Sequence, residues 1–373
     1  MIQEVSDDIK KVPADNCTTE KQNSMNYQDF RILLAEGKVR ASSDQGEESE
    51  PFYLNTNEID LALTLIEKNQ TNSTMLKVVG GKLHKAIFSA NILSLFSATK
   101  AAALTRDESV RIRLVFDEPK YAGLPWEFLY DERTDNFLAN NIQTALSRYI
   151  NIPLKKKEIK AVTLPLKVIV VISSPLDRQR LDATGEESLI REALKNHIES
   201  GAVELDVLHE ATRQNISQKL REKAYNVFHF IGHGSFEKDQ GFIDLIDQNG
   251  NAKSLSDETF SNFFLGNRTL GLVVLNSCQG ASISSNRTFV GVAPSLVRRG
   301  IPAVVAMRYS SYDTTAKLFA DEFYRTLALG WPVDAAIQTT RNAISMDVGL
   351  DKPDFATPVL YMRAKDGVIL SGL

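Results

Sequence analysis

Hydrophobic and polar positions alternate with two different periods along this chain of 373 residues. In the C-terminal half, continuous apolar runs of strand length are separated by stretches with apolar residues at helical spacing. The apolar runs include 166–175, 202–211, 225–234 and 269–281, and the helical stretches include 186–200 and 212–224. Apolar, β-branched strands that alternate with amphipathic helices predict a mostly parallel sheet covered by helices on both faces.

The N-terminal half carries shorter segments of both kinds. Two strands are predicted around Phe30–Leu34 and Lys38–Ala41, and helices are predicted from Glu58 to about Asn69 and around His84 to Lys100. Val110–Phe116 alternates between apolar and polar residues strictly enough to predict a strand with one face exposed to water.

Two polar segments divide the chain. Residues 1–26 contain few large apolar side chains, which is typical of a flexible tail. Asn151–Leu166 combines two prolines with a lysine cluster and is typical of a solvated linker. The sequence therefore predicts an N-terminal α/β unit over 27–155 and a larger α/β unit over 160–373.

Composition narrows the classes of partner and compartment. The net charge of −4 provides no basic field, so we expect a protein partner and no direct contact with nucleic acid or a membrane surface. No apolar run reaches the length of a membrane span, and the first residues do not resemble an export signal. Only two cysteines occur, Cys17 and Cys278, which favours a reducing compartment, and we expect the cytoplasm.

Two polar residues follow predicted neighbouring strands at their carboxyl ends. His233 lies between two glycines after the run that ends near Ile231, and Cys278 follows the run 269–276. Ligands and chemistry gather at the carboxyl ends of strands in such sheets. If the two strands are adjacent, the imidazole can take the thiol proton and leave a nucleophilic thiolate. His229 lies inside its strand and is interpreted as a buried core residue.

Other sites compete with this hypothesis. A lone cysteine is usually a small buried hydrophobe. A nucleotide site lacks its glycine-rich phosphate loop after the first strand, and a metal site at His229, His233 and Cys278 lacks a further ligand, so no cofactor and no metal are expected. In the N-terminal half His84 has no cysteine beside it, and Trp126 and Glu127 are interpreted as a buried ring and a paired carboxylate at the interface between the two units.

Several blocks together resemble the CHAT domain, a caspase-like cysteine peptidase family of clan CD. The histidine and cysteine blocks are "FHFIGHGSF" (228–236) and "LVVLNSCQGA" (272–281). They are supported by "LPWEFLYDERTDNFL" (124–138), "LSRYI" (146–150), the region 295–330 and "ATPVLYMR" (356–363). The spacing of 45 residues between His233 and Cys278 is similar to the caspase arrangement.

The resemblance implies a caspase-like three-layer α/β/α sandwich with a mostly parallel central sheet, preceded by a non-catalytic pseudo-caspase-like α/β subdomain. It also implies a cysteine endopeptidase that works through a thioester, with Cys278 as nucleophile and His233 as general acid and base. The backbone N–H groups of Gly234 and Cys278 would bind the oxyanion. No third catalytic residue is assigned, and Asp239 and Asp244 have no better claim than a solvated loop or strand face.

The resemblance further implies a pocket for the residue before the scissile bond, lined by Ser174, Asn276 and Tyr309. Asp177 or Asp313 would add a carboxylate that selects basic residues, and Arg308 would orient the substrate. An alternative for Asp313 is a capping box at the start of a helix, with Ser310 as N-cap.

Two functions stay open at this point. The first is a regulated proteolytic switch in bacterial defence or cell death, acting on a protein substrate. No sensor is recognisable in the sequence, so we expect activation by a partner protein, by oligomerisation or by cleavage. The second is a catalytically silent caspase-like scaffold, against which the intact His233 and Cys278 argue.

Overall fold

A computed structural model describes residues 26–68, 70–150, 164–179, 183–237, 240–276, 288–309 and 313–369. Within these ranges the strands are β1 (Tyr27–Ala35), β2 (Lys38–Ser43), β3 (Gly46–Pro51), β4 (Ser109–Phe116), β5 (Tyr130–Asp131), β6 (Asn136–Phe137), β7 (Thr144–Tyr149), β8 (Leu166–Ile172), β9 (Val203–Leu208), β10 (Val227–Ile231), β11 (Gly234–Glu237), β12 (Gln240–Ile246), β13 (Ala252–Ser256), β14 (Leu272–Asn276), β15 (Ala303–Met307) and β16 (Pro358–Met362). The helices are α1 (Thr56–Glu67), α2 (Ser73–Ile87), α3 (Ala90–Thr105), α4 (Pro119–Ala122), α5 (Ala183–Glu199), α6 (Arg213–Glu222), α7 (Asp257–Ser261), α8 (Thr288–Arg298), α9 (Asp313–Ala328) and α10 (Val333–Val348).

One sheet of eleven strands runs through both halves of the chain, in the order β3-β2-β1-β4-β7-β16-β15-β14-β10-β8-β9. All of its neighbouring pairs are parallel except β1 with β2, β2 with β3 and β15 with β16. The predicted alternation of strands and helices after residue 160 is therefore confirmed, and β10 is an inner strand between β8 and β14. The fold is the predicted mixed α/β class with a mostly parallel central sheet.

Two hydrophobic cores lie on opposite faces of this sheet. Val168 and Val170 of β8 belong to one core, and the alternating residues Ile169 and Val171 belong to the other. Helices α5, α9 and α10 cover the first face, and α6, α7 and α8 cover the second. Because both faces are covered, these strands are apolar throughout instead of alternating with polar residues.

The prediction of a wet face for Val110–Phe116 is wrong. Strand β4 lies between β1 and β7 and is buried on both faces. Arg111 and Arg113 are only 6% and 5% exposed, because their guanidinium groups are paired with Asp334 and Asp29 and with carbonyl oxygens near the C-terminus. Buried charges of this kind are tolerated only when they are paired and hydrogen-bonded.

The predicted helix from His84 to Lys100 is also wrong, because two helices meet there at an angle of 96°. Helix α2 ends at Ile87 and α3 begins at Ala90, with Ser89 in an extended conformation as the N-cap of α3. Both helices have apolar residues at helical spacing, so the periodicity continues across the break. Within the described ranges no single helix is long and apolar enough to span a bilayer, and only this bent pair passes that test jointly.

The two predicted units are joined through the sheet. Strand β7 of the N-terminal unit pairs in parallel with β16, near the C-terminus, and Arg148 lies opposite Tyr361. Residues 151–163 of the predicted linker, and the predicted tail except Asn26, lie outside the described residues. The division into 27–155 and 160–373 stays a prediction.

Candidate active site

The carboxyl ends of β10 and β14 lie side by side. Ile231 is opposite Asn276 in the parallel ladder, and the N–H of Gly232 donates to the carbonyl oxygen of Asn276 at 3.2 Å. His233 is the next residue after Gly232. The two strands are therefore adjacent, as the predicted pairing of His233 with Cys278 requires.

Gly232 lets the chain turn at the end of β10 in a crowded place. A Cβ atom at this position would lie 2.5 Å from the ring of Phe230 and 3.1 Å from Cβ of Ser173. Neither neighbour can move freely, since Phe230 and Ser173 are both fully buried. The glycine before His233 is therefore required for the close packing of the end of β10 against the end of β8.

The imidazole of His233 is 6% exposed and contacts the loop that follows β8. Its Nε2 lies 2.7 Å from the main-chain oxygen of Gln179. A carbonyl oxygen can only accept, so Nε2 carries the proton in the neutral ring and Nδ1 is the basic nitrogen. The geometry fixes both the orientation of the ring and its tautomer. Sequence reasoning missed this partner, because a main-chain oxygen leaves no signal in the sequence.

Asp244 connects three segments around His233. Its N–H donates to the carbonyl oxygen of His233 at 3.0 Å, and its own carbonyl oxygen accepts from Oγ of Ser173 at 2.7 Å. Its carboxylate accepts from Nε of Arg178 at 2.8 Å and from the hydroxyl of Ser254. At 3% exposure this residue is a buried anchor of the site, and the expectation of a solvated strand face is wrong. Asp239 lies outside the described residues.

Cys278 lies in the segment 277–287, outside the described residues. Asn276, two residues before it, ends β14 at the rim that carries His233. The dyad of His233 and Cys278, and the oxyanion role of the backbone N–H groups of Gly234 and Cys278, therefore stay predictions. Gly234 begins β11 and lies opposite Ile243 of β12.

The predicted pocket residues divide into three pairs. Ser174 comes two residues after β8 and Asn276 ends β14, and these two strands flank β10 at the His233 rim. The Nδ2 group of Asn276 donates to Oε2 of Glu186, in the first turn of α5, at 2.9 Å. Oδ1 of Asn276 is buried and has no hydrogen-bond partner among the described residues. Glu186 was not identified from the sequence, where it is one acidic residue among several on a helix.

Asp177 and Arg308 are already engaged by other parts of the chain. Oδ1 of Asp177 accepts from the N–H of Ala252 in β13 at 2.6 Å. Arg308 is 3% exposed, and its guanidinium donates to the carbonyl oxygens of Gly123 and Leu124 at 2.5 and 3.0 Å. The contact of Asp177 holds the loop after β8 against the β12–β13 hairpin. The contacts of Arg308 connect the end of β15 to the N-terminal half.

Tyr309 and Asp313 complete the predicted pocket. Tyr309 is 6% exposed, with its ring 6.2 Å from that of Phe128 in the N-terminal half. Asp313 is the first residue of α9, and its side chain and Ser310 lie outside the described residues, so the capping alternative stays open.

The core interpretations of His229 and Glu127 are confirmed. Nδ1 of His229 lies 2.6 Å from the hydroxyl of Tyr324, and complete burial lowers the pKa of this imidazole to about 3. Glu127 is 1% exposed and accepts from Arg148 at 2.6 and 3.0 Å. Burial alone would raise the pKa of Glu127, but Arg148 beside it outweighs burial and lowers the pKa below its ordinary value. Trp126 is buried, and its Nε1 donates to the oxygen of Tyr121 at 2.7 Å.

The family model for the CHAT domain matches residues 77–355, which include His233 and Cys278. This chain belongs to the CHAT domain family. As a CHAT domain it has the mixed α/β fold with a mostly parallel central sheet that its sequence predicts. A search of curated proteins finds no match.

Solved structures with some similarity to this CHAT domain include three proteins. The Saccharomyces cerevisiae separase in complex with securin is 13% identical with a TM-score of 0.40, and the match covers 85% of this chain but 20% of the separase chain. The Porphyromonas gingivalis RgpB complex of pro- and mature domains is 12% identical with a TM-score of 0.47, covering 86% and 79%. Caspase-1 from Spodoptera frugiperda is 9% identical with a TM-score of 0.38, covering 60% and 98%. The CHAT domain chain thus spans about a fifth of the separase chain that it matches.

Proposed function

We propose that this CHAT domain is a cysteine endopeptidase with His233 and Cys278 as its catalytic dyad. The observation that carries the proposal is the position of His233 at the end of β10, next to the end of β14 from which Cys278 follows. The contact of Nε2 with Gln179 leaves Nδ1 as the nitrogen that can accept a proton.

The reaction begins when the thiol proton of Cys278 passes to Nδ1 of His233. The sulfur then bonds to the scissile carbonyl carbon, and the negative charge moves to the carbonyl oxygen, which the N–H groups of Gly234 and Cys278 stabilise. The C–N bond breaks as the imidazolium gives its proton to the leaving amine nitrogen, and a thioester remains. Water then attacks the thioester, its proton passes to His233, and the C–S bond breaks to release the acid and regenerate the thiol.

Substrate recognition is proposed for the strand ends around the dyad. Ser174 and Asn276 would line the pocket at the His233 rim, and Glu186, bound to Asn276, brings a carboxylate to the same place. Tyr309 and Asp313 are proposed for the side of the pocket that follows β15. Asp177 and Arg308 would act through the loops that they hold, since their side chains already have partners.

The proposed biological role is a regulated proteolytic switch that acts on a protein substrate in the cytoplasm, in bacterial defence or cell-death signalling. Activation by a partner protein, by oligomerisation or by an upstream cut forms part of this proposal.

The test is to profile cleavage of a complex peptide library by mass spectrometry. The parent chain is compared with Cys278→Ala and His233→Ala, and with Cys17→Ala and His209→Ala as matched controls. We expect cuts with the parent and both controls, and loss of these cuts in both dyad variants. Cuts that persist in Cys278→Ala would contradict the proposal. If the parent is silent also after addition of candidate activators, the scaffold function is favoured instead.

A further inference from the structure

A basic groove lies on the face of the molecule that carries α6 and α7. It has a volume of about 710 Å³, and its lining includes Arg213, Gln214, Leu220, Arg221, Phe263 and Leu265. A second hollow of about 440 Å³ shares Arg213, Gln214 and Leu255 with it and extends along the β12–β13 hairpin to Lys253. We call these two hollows together the basic groove.

Three cations and one carboxylate line the basic groove. Arg213, Arg221 and Lys253 are exposed, and in the described part of the chain they form no ion pair or side-chain hydrogen bond. Asp247 is the carboxylate among the lining residues, and its Oδ1 already accepts from the N–H groups of Asn249 and Asn251 at 2.8 and 2.9 Å. Asp247 keeps its negative charge, but the three cations outnumber it, so the groove is positive in a chain whose net charge is −4.

The groove also offers apolar surface and hydrogen-bonding groups. Leu265 is 56% exposed and lies beside the partly buried Phe263 and Leu220. Gln214 and other side-chain amides line the same surface and can pair with a peptide backbone. Nucleic acid binding depends on a longer track of cations against phosphates, whereas this mixture of charge, amides and an apolar anchor suits a peptide.

The basic groove and the candidate active site share the β12–β13 hairpin. Within β12, the N–H of Asp244 donates to the oxygen of His233. At the turn of the hairpin, the oxygen of Gly250 accepts from the N–H of Leu176 at 2.9 Å, in the loop that continues to Gln179. A protein bound in the groove therefore contacts the hairpin that supports the catalytic histidine.

We propose that the basic groove is an exosite that binds an acidic segment, carrying an apolar side chain, of the protein substrate. This inference rests on the proposed peptidase function. Opposite charge accelerates the encounter and fixes the register, while the apolar side chain packs on Leu265 and Phe263. Several proteins can carry the same cleavable residue. The exosite selects among them those that also carry this acidic segment, at a distance from the scissile bond.

Binding is measured with the full-length Cys278→Ala chain, so that the result does not depend on catalysis. The probe is a fluorescent peptide of about 12 residues that is rich in Glu and Asp and has a central Leu. Its binding is measured by fluorescence anisotropy. The groove variant is Arg213→Glu combined with Arg221→Glu. The matched control is Lys195→Glu combined with Lys365→Glu, two exposed lysines that line neither hollow.

We expect the groove variant to raise the Kd by on the order of tenfold and the control to change it less than about twofold, with weaker binding of all forms at high salt. A peptide with amides in place of its acids should bind the parent as weakly as the groove variant binds the acidic peptide. Equal affinity of groove variant and parent would overturn the exosite, and so would tighter binding of an oligouridylate of equal charge. The binding assay does not require catalysis. A protein that binds the acidic peptide but cleaves nothing would therefore contradict the peptidase proposal and leave the exosite proposal standing.

Discussion

Nε2 of His233 lies 2.7 Å from the main-chain oxygen of Gln179, so a backbone carbonyl holds the proposed general base in one orientation. The loop that provides this oxygen follows β8 and is fixed in turn by Asp177, whose carboxylate accepts from the N–H of Ala252. The same carboxylate was expected from the sequence to select basic substrates. Asp177 would thus either hold the loop or bind basic substrates directly. The two roles predict different results when Asp177 is replaced by Asn or by Ala.

We predict that Asp177→Ala lowers kcat about fivefold with little change in KM or in preference for the residue before the scissile bond. The loss of one hydrogen bond, worth about 1 kcal/mol, loosens the loop that orients His233. Asp177→Asn retains an oxygen acceptor at the same position and should keep most of the activity. A change of substrate preference from basic to neutral residues in Asp177→Asn would instead support direct recognition by the carboxylate.

A second prediction concerns the buried pair of Glu127 and Arg148. Glu127→Gln leaves the guanidinium of Arg148 buried without its counterion, and we expect the free energy of unfolding to fall by about 3 kcal/mol. The double variant Glu127→Gln with Arg148→Met removes both charges and should recover part of that loss. The measurement is unfolding in urea, in which the midpoint concentrations of the variants are compared, provided that the dependence of the unfolding free energy on urea concentration is unchanged.

The matched control for this pair is Asp321→Asn, which breaks the exposed ion pair with Arg325 and should cost less than about 1 kcal/mol. If Glu127→Gln costs no more than this control, the buried pair does not contribute to stability in the way described.

A third prediction follows from His84, whose burial lowers the pKa of its imidazole to about 4. The unfolded chain binds a proton at this residue near pH 6.5, whereas the folded chain does so only near pH 4. Stability contributed by the neutral form is therefore present at neutral pH and is lost as pH falls from 6.5 to 4. We expect His84→Phe, which preserves the stacking on Phe88, to flatten the decline of unfolding free energy in this window by up to about 1.4 kcal/mol per pH unit. An unchanged slope between pH 6.5 and 4 would contradict this explanation.

Much of the C-terminal architecture was predictable because its signals are local. Long apolar runs and helical periodicity specified parallel strands covered on both faces, and the glycine before His233 marked the strand end. The two errors in the N-terminal half arose from tertiary context. Arg113 is polar in the sequence pattern but buried through its pairing with Asp29, and the apolar spacing of α2 and α3 did not reveal the break before Ala90.

Only those parts of the candidate site that depend on the identity of a side chain could be predicted from the sequence. His233 was identified from its position at a strand end and Asn276 from the resemblance to the CHAT family, and the structure brings these two strand ends together. The oxygen of Gln179 could not be found, because any residue provides a main-chain carbonyl. The pairing of Asn276 with Glu186 and the burial of Asp244 depend on contacts between residues distant in sequence, which the local pattern does not encode.

The most direct test of the central claim, that His233 activates Cys278, is the rate at which iodoacetamide alkylates each of the two cysteines at neutral pH. Peptide mass spectrometry resolves Cys278 from Cys17, which serves as an internal comparison in the same polypeptide. We predict that Cys278 reacts on the order of tenfold faster than Cys17 and loses this advantage in His233→Ala, because the imidazole stabilises the thiolate. Equal rates for the two cysteines, or a Cys278 rate that is unchanged by His233→Ala, would contradict this claim.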